Sequence, residues 1–414
     1  MSSPEAASTV QVTRESFARA TRRLPFLLRR MLAIALRMET GRLTIVVPDG
    51  RTLAFGGTRP GPEAAMAIRD ARLARRVLLA GEIGFGEAYR DGLFDTPDLG
   101  ALLTLLAANR PERGRIVEDP APLRLLRRLH EATRRNTRAG ARRNVAEHYD
   151  LGEAFYAAWL DAGMTYSSAI FATGTETLEA AQAHKHRLLA RATGIGPGDR
   201  VLEIGCGFGS FALWAAREIG CRVTALTISR AQHDRAARAV AEAGLGERID
   251  LRFEDYRDVR GTYDRIVSIE MFEAVGEAYW DAFYEAMKAR LRPGGRAGLQ
   301  LITIRDDRYE AYRRRVDFIR RHVFPGGMLP SDAIVAGLSE RHGLPIVADA
   351  SYAADYARTL RDWRGRFAAA RPRIEGLGFD ARFQRLWTYY LAYCEVGFAT
   401  RNTDVRQVVL EKPP

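Results

Sequence analysis

No stretch of this 414-residue chain holds the roughly 18 consecutive apolar residues that a membrane-spanning helix needs. The first residues, MSSPEAASTVQVTRE, also lack the basic-then-apolar order of a secretory signal. The expectation is a cytoplasmic protein with no helical span. Cysteine is scarce: Cys206, Cys221 and Cys394 are odd in number and widely separated, which excludes a disulfide framework and matches no metal-ligand spacing. Lysine is missing from residues 1–145, where 26 Arg face 15 acidic residues. That balance of +11 accounts for nearly all of the +12 carried by the whole chain. The basic surface therefore belongs to the N-terminal part. Arg-rich faces meet the phosphates of nucleic acid or of an anionic bilayer, and charge alone does not choose between them or exclude a plain solvated face.

What is present, 47% apolar and 28% charged residues, suits a globular protein of two or three domains. Residues 1–14 are small and polar and read as a disordered tail. Ser16 to Met38 reads as a basic amphipathic helix disturbed at Pro25, suited to docking on the protein's own core or on lipid. Leu43–Val47 and Thr52–Phe55 form a hairpin pattern around Pro48-Asp49-Gly50. A helix is expected from Pro62 to Leu79, then a Gly-punctuated stretch (81–94) before a helix of Leu and Ala. Residues 122–143 hold eight Arg and one Glu and read as a basic helix running into a linker. The resulting division is an N-terminal α+β domain (15–121), a basic linker (122–145) and a second domain (146–414).

The second domain alternates strands and helices, the signature of a parallel sheet covered on both faces. Its strands are expected at Arg200–Ile204, Arg222–Leu226, Ile249–Phe253, Tyr263–Ile269 and Ala297–Ile304, with helices at Ala231–Ala243 and Tyr279–Arg290. Residues 305–414 are helix-rich and are expected outside the sheet, with a helical insertion over about 305–375.

Val201-Leu-Glu-Ile-Gly-Cys-Gly-Phe-Gly-Ser210 reads as a buried strand running into a glycine turn where a helix begins, a place where a ligand can approach the backbone. The spacing G-x-G-x-G differs from the dinucleotide pattern, and Glu203 two residues before Gly205 would repel a pyrophosphate but suits an ammonium. This arrangement resembles the turn with which class I (Rossmann-like) methyltransferases hold S-adenosylmethionine. The second strand ends without the usual ribose-binding carboxylate, yet Thr227, Ser229 and Gln232 offer hydroxyl and amide partners; Ser229 is equally suited to capping the next helix. Asp255 and Tyr256, with Glu254, offer an acceptor and a ring for adenine, or a plain loop. The fourth strand enters Ser268-Ile-Glu-Met-Phe-Glu-Ala-Val-Gly276 without the Asn/Asp-Pro-Pro-aromatic turn of amino-nucleobase methyltransferases.

HYDLGEAFY (148–156), MTYSSAIF (164–171), VLEIGCGFG, LTISRAQ, EDYRD, EMFEAVG, FPGGMLPS and QVVL occur in that order, and together they resemble the cyclopropane-fatty-acyl-phospholipid synthase family, which includes the mycolic acid methyltransferases. The resemblance is dense from about Glu147 onward and thinner in GEIGFGEAYRDGLF (81–94). It implies methyl transfer from S-adenosylmethionine to the double bond of an unsaturated acyl chain in membrane phospholipid. It further implies that Tyr166, Ser167, the glycines 205, 207 and 209, Thr227 to Gln232 and residues 254–256 hold the cofactor, with the acyl chain in a tunnel built by residues after 304. Glu273 and Tyr356 match positions that organise a bound bicarbonate base, and Tyr390 and Cys394 match a pocket segment, Cys394 being read as lining rather than as a nucleophile. Members are often homodimers.

Two departures bear on the product. Ser168 stands where the family has a cysteine beside the anion, and Ile302 replaces a histidine that binds it. Loss of that donor weakens a bicarbonate site by roughly 1 to 3 kcal/mol. Proton removal then falls to Glu273, to water or to a shifted anion, and the product is a cyclopropane or a methylated chain. The expected partner is an anionic membrane surface at the inner leaflet, bound reversibly, and not nucleic acid; a methyltransferase for a soluble small molecule or RNA is the second reading.

Overall fold

The computed structural model describes residues 9–110, 137, 140 and 151–414. The basic stretch 122–143 therefore falls, but for 137 and 140, outside the described residues. The chain divides into two compact units, Met1–Leu126 with Gly378–Val396, and Arg127–Leu377 with Gly397–Pro414.

In the first unit a five-stranded sheet has the order β1-β3-β2-β4-β5, from Val10–Gln11, Thr40–Val46, Thr52–Gly56, Arg59–Ile68 and Phe94–Asp95. The Asp49-Gly50 turn closes the expected hairpin, with Val46 opposite Thr52. Three expectations are corrected. Gln11 and Val10 do not belong to a disordered tail, since they pair with β3. Pro62 to Ile68 is not helical: β4 pairs in parallel with β2, and its alternating burial toward Met66 and Ile68 outweighs the helix preference of its Ala, Glu and Met. The helix begins instead at Arg72 and continues through the glycines to Arg90 (α3), merely kinked at Gly81. The Ser16–Met38 segment is two helices, α1 Phe17–Thr21 and α2 Phe26–Ala35, because Pro25 takes an extended ψ of 147° between them. Leu28 and Leu32 of α2 are buried, whereas Phe26 and Leu27 stay 68% and 44% exposed. A further helix, Leu99–Ala108 (α4), is capped by the Asp98 carboxylate, which accepts from the Ala101 N–H at 3.0 Å.

The Gly378–Val396 segment is bound into this unit by charge and rings. Arg385 donates to the Asp95 carboxylate at 2.9 Å and the Phe94 carbonyl at 2.7 Å and lies over the Tyr89 ring, while Arg382 reaches Asp91 at 2.7 Å.

The second unit is a seven-stranded sheet of order β11-β12-β10-β9-β6-β7-β8. Its strands are β6 Arg200–Ile204, β7 Arg222–Thr227, β8 Ile249–Phe253, β9 Tyr263–Ile269, β10 Leu291–Ile304, β11 Ile346–Ser351 and β12 Thr403–Glu411. All pairings from β10 to β8 are parallel, and β12 runs antiparallel to both β10 and β11. Neighbouring residues alternate between the two faces: Leu202, Leu226 and Ile266 pack with Trp280, Phe283 and Met287 of one helix. Val201, Val223 and Val267 pack with Leu189 and Phe211 of others. Residues 305–414 do not lie wholly outside the sheet as expected, since β11 and β12 complete it. The helices that matter below are α5 Leu178–Thr193, α6 Ser210–Glu218, α7 Arg230–Glu242, α8 Trp280–Arg290 and α9 Ala353–Ala369.

Candidate active site

The carboxyl ends of β6, β7, β8 and β9 open on a cleft of about 160 Å³, the place where open α/β sheets bind ligands. The glycine turn forms its floor. Gly205 and Cys206 donate their N–H groups to the Leu226 carbonyl at 3.1 and 2.8 Å, tying the turn to β7. Gly205 has φ +82°, and a Cβ there would lie 2.5 Å from Met271 Cγ, so only glycine fits. Gly207, at φ +55°, has open space where a side chain would go. Gly209 serves packing instead: it precedes α6, and a Cβ on it would approach Ala236 at 3.2 Å.

Met164 to Ser167 and His186 form another wall with Glu203, and Thr227, Gln232, Asp255 and Tyr256 complete the far side. Tyr166 belongs to a ring cluster, 5.4 Å from Tyr156, 5.6 Å from Trp159 and 5.4 Å from Trp363. Glu203 is 2% exposed, and its Oε2 has no hydrogen-bond partner among the described residues. Burial pushes its carboxyl up to about 8, with the Ala212 N–H and Lys185 pulling the other way. An orphaned buried oxygen beside a glycine turn fits the ammonium of an amino-acid-bearing cofactor.

Thr227 Oγ1 and Gln232 Oε1 are 2.8 Å apart, and both line the cleft. Ser229 does not: it caps α7, accepting from the Gln232 N–H at 3.3 Å. Arg257 holds both oxygens of Asp255 at 2.8 and 2.6 Å. The expected adenine acceptor thus carries an ion pair and still lines the cleft beside the Tyr256 ring.

Glu273 and Tyr356, the two residues expected to organise a bound bicarbonate, are held differently. Tyr356 on α9 donates to Glu270 Oε2 at 2.6 Å. Glu270 Oε1 accepts from the Ser168 N–H at 2.7 Å and from Gln300 Nε2 at 2.8 Å. Glu270 sits at the end of β9 with φ +50°, a left-handed backbone rare outside glycine, and it lines the cleft. Burial raises its carboxyl, against the opposing pull of these hydrogen bonds. Glu273 lies one short turn further on. Its Oε1 accepts from the Ile302 N–H, Oε2 has no partner among the described residues, and burial followed by the Glu270 charge raises it to about 8. Ser168 contributes its backbone, its hydroxyl donating to the Ala169 carbonyl at 2.9 Å.

Sequence reasoning missed Glu270, although a carboxylate at the carboxyl end of a parallel strand was a usable signal. Cys394 is half-buried on helix Ala381–Ala399, and with Tyr390 it falls in the segment belonging to the first unit. Among the described residues no group of acidic, His or Cys side chains could hold a metal ion.

The sequence profile of the mycolic acid cyclopropane synthetase family matches residues 136–408. The chain is 40% identical to a tuberculostearic acid methyltransferase of Mycobacterium tuberculosis over 90% of its own length and 88% of that protein. It is 32% identical to the cyclopropane-fatty-acyl-phospholipid synthase of Escherichia coli over 87% and 90% of the two chains. Among solved structures it is similar to a mycolic acid cyclopropane synthase complexed with SAH and CTAB. That match has a TM-score of 0.62 and 29% identity and covers 66% of this chain and 98% of the other.

Proposed function

Because the chain belongs to the mycolic acid cyclopropane synthetase family, we propose that this S-adenosylmethionine-dependent methyltransferase methylates the double bond of unsaturated acyl chains in membrane phospholipid. We further propose that Glu270 is its base. The observation that carries this reading is the Glu270 carboxylate, held in the cleft wall by Ser168, Gln300 and Tyr356. A carboxylate of the chain itself takes the donors that a bound bicarbonate would use. That is consistent with the loss of the anion's other ligands at Ser168 and Ile302.

S-adenosylmethionine, when bound, supplies an electrophilic methyl group. Glu203 Oε2 would take its ammonium, Thr227 and Gln232 its ribose hydroxyls, and Tyr256 its adenine ring. Attack of the alkene's π electrons on that methyl would form the new carbon–carbon bond as the methyl–sulfur bond breaks to leave S-adenosylhomocysteine, placing a cation on the adjacent chain carbon. The rings of Tyr166 and its neighbours stabilise that charge and exclude water. Glu270 then takes a proton from a chain carbon, and the C–H electrons form a new double bond. The net gain is CH2 with one alkene retained, so the product is a methylated chain rather than a ring.

Docking on an anionic bilayer is supported by exposed Phe26 and Leu27 on α2 beside Arg29 and Arg30. Mass spectrometry of lipids from cells expressing the protein tests the reaction. A CH2 gain on acyl chains that still take up hydrogen is expected. A gain that resists hydrogenation overturns the methylated product, and no gain overturns acyl methylation itself.

A further inference from the structure

Lys185, Lys288 and Lys412 are the only lysines among 63 basic residues. Lys288 and Lys412 donate to backbone carbonyls, of His342 at 2.7 Å and of Lys288 at 2.8 Å respectively. Lys185, on α5, is wholly buried. Its ammonium makes one hydrogen bond among the described residues, to Ser167 Oγ at 2.7 Å, and no ion pair. An ammonium can only donate, so this bond fixes Ser167 Oγ as the acceptor and turns the hydroxyl hydrogen away. Gln182 Nε2 holds the Ser167 carbonyl at 2.9 Å, which leaves the residue little freedom to rotate. Ser167 lines the cleft, and no acceptor within the described residues takes its hydrogen. A directed donor with a positive charge behind it faces the ligand space.

We propose that Lys185 is a positioning residue for the carboxylate at the amino-acid end of the cofactor, acting through the hydroxyl of Ser167. The neighbouring groups are consistent with this. Burial pulls the Lys185 ammonium down to about 8, with the charges of Glu270, Asp161 and Glu203 pulling the other way. Asp161 is itself occupied by the Gly163 and Thr165 N–H groups, each at 2.9 Å. Glu203 is reserved for the ammonium. The cofactor's paired charges thus meet paired opposite charges from the wall. The single cation must be compact, which suits an ammonium and not the planar fork of the arginine this chain uses almost everywhere else.

The inference concerns the cofactor alone and does not depend on the acyl acceptor. Calorimetric titration of the full chain tests it, using S-adenosylhomocysteine and the same thioether lacking its carboxylate. Lys185→Met and Ser167→Ala are each expected to weaken S-adenosylhomocysteine by about tenfold or more. Both should leave the decarboxylated compound within about twofold of wild type. Equal losses for the two ligands would assign Lys185 a structural role only and overturn the proposal, as would no loss for either. If Lys185→Met does not fold, Ser167→Ala decides by the same two readouts. Failure of the wild-type protein to bind S-adenosylhomocysteine would instead overturn the cofactor assignment.

Discussion

Glu270 and Glu273 stand three residues apart, yet their surroundings separate their duties. Glu270 is fully engaged, with hydrogen bonds from a backbone N–H, an amide and a phenol, and it reaches the cleft. Glu273 makes one such bond and keeps an orphaned oxygen. Glu270→Gln keeps the volume and most of the hydrogen bonding but removes the base. It is expected to lower kcat by about 10² or more with cofactor affinity within about twofold of wild type. Steady-state kinetics and calorimetry check both halves. With Glu270 as the proposed base, depleting dissolved bicarbonate should leave the wild-type rate unchanged. Glu273 drew attention in the sequence because it matches a family position beside a bound anion. Glu270 did not, because its significance depends on a left-handed backbone and on partners 30 to 102 residues away.

The elements of the second unit were legible wherever a pattern of apolar alternation met a turn signal. β6 and the glycine turn, β7, β8 and β9 fell almost where their residues placed them. β4 did not, because Pro-Glu-Ala-Ala-Met-Ala prefers a helix in isolation and only pairing with β2 makes it a strand. Glycine content also misled at α3, since Gly84 and Gly86 are buried helical positions rather than loop residues. Helix α2 carries the next prediction. Its exposed Phe26 and Leu27 precede Arg29 and Arg30, an arrangement in which apolar insertion and charge act together. Phe26→Ser with Leu27→Ser is expected to reduce flotation with anionic liposomes severalfold and to make the remaining binding more sensitive to salt. Circular dichroism should remain that of wild type, because neither side chain is in the core. Unchanged flotation would remove α2 from the membrane reading.

At the scale of the molecule, the buried ionisable groups of the cleft make stability depend on pH in an unusual sense. Glu203 and Glu273 have carboxyls near 8 in the folded state, far above the ordinary 4.5. Between those limits the folded chain binds more protons than the unfolded one, so stability falls as pH rises toward 8. Lys185, depressed from 10.5 to about 8, acts in the opposite direction above that pH. Without cofactor, Tm is expected to decline from about pH 5 to about 8 and then to level or recover. Glu203→Gln should flatten the decline, and calorimetry across that range measures it. The return of Gly378–Val396 to the first unit has a different kind of consequence. Arg382 and Arg385 must reach Asp91, Phe94 and Asp95 across nearly 300 residues of chain. During synthesis the amino-terminal unit therefore waits, its last contacts missing, until almost the entire polypeptide has left the ribosome. The unit that begins first is among the last to be finished, and an early stop would leave it an open fragment for chaperones to hold.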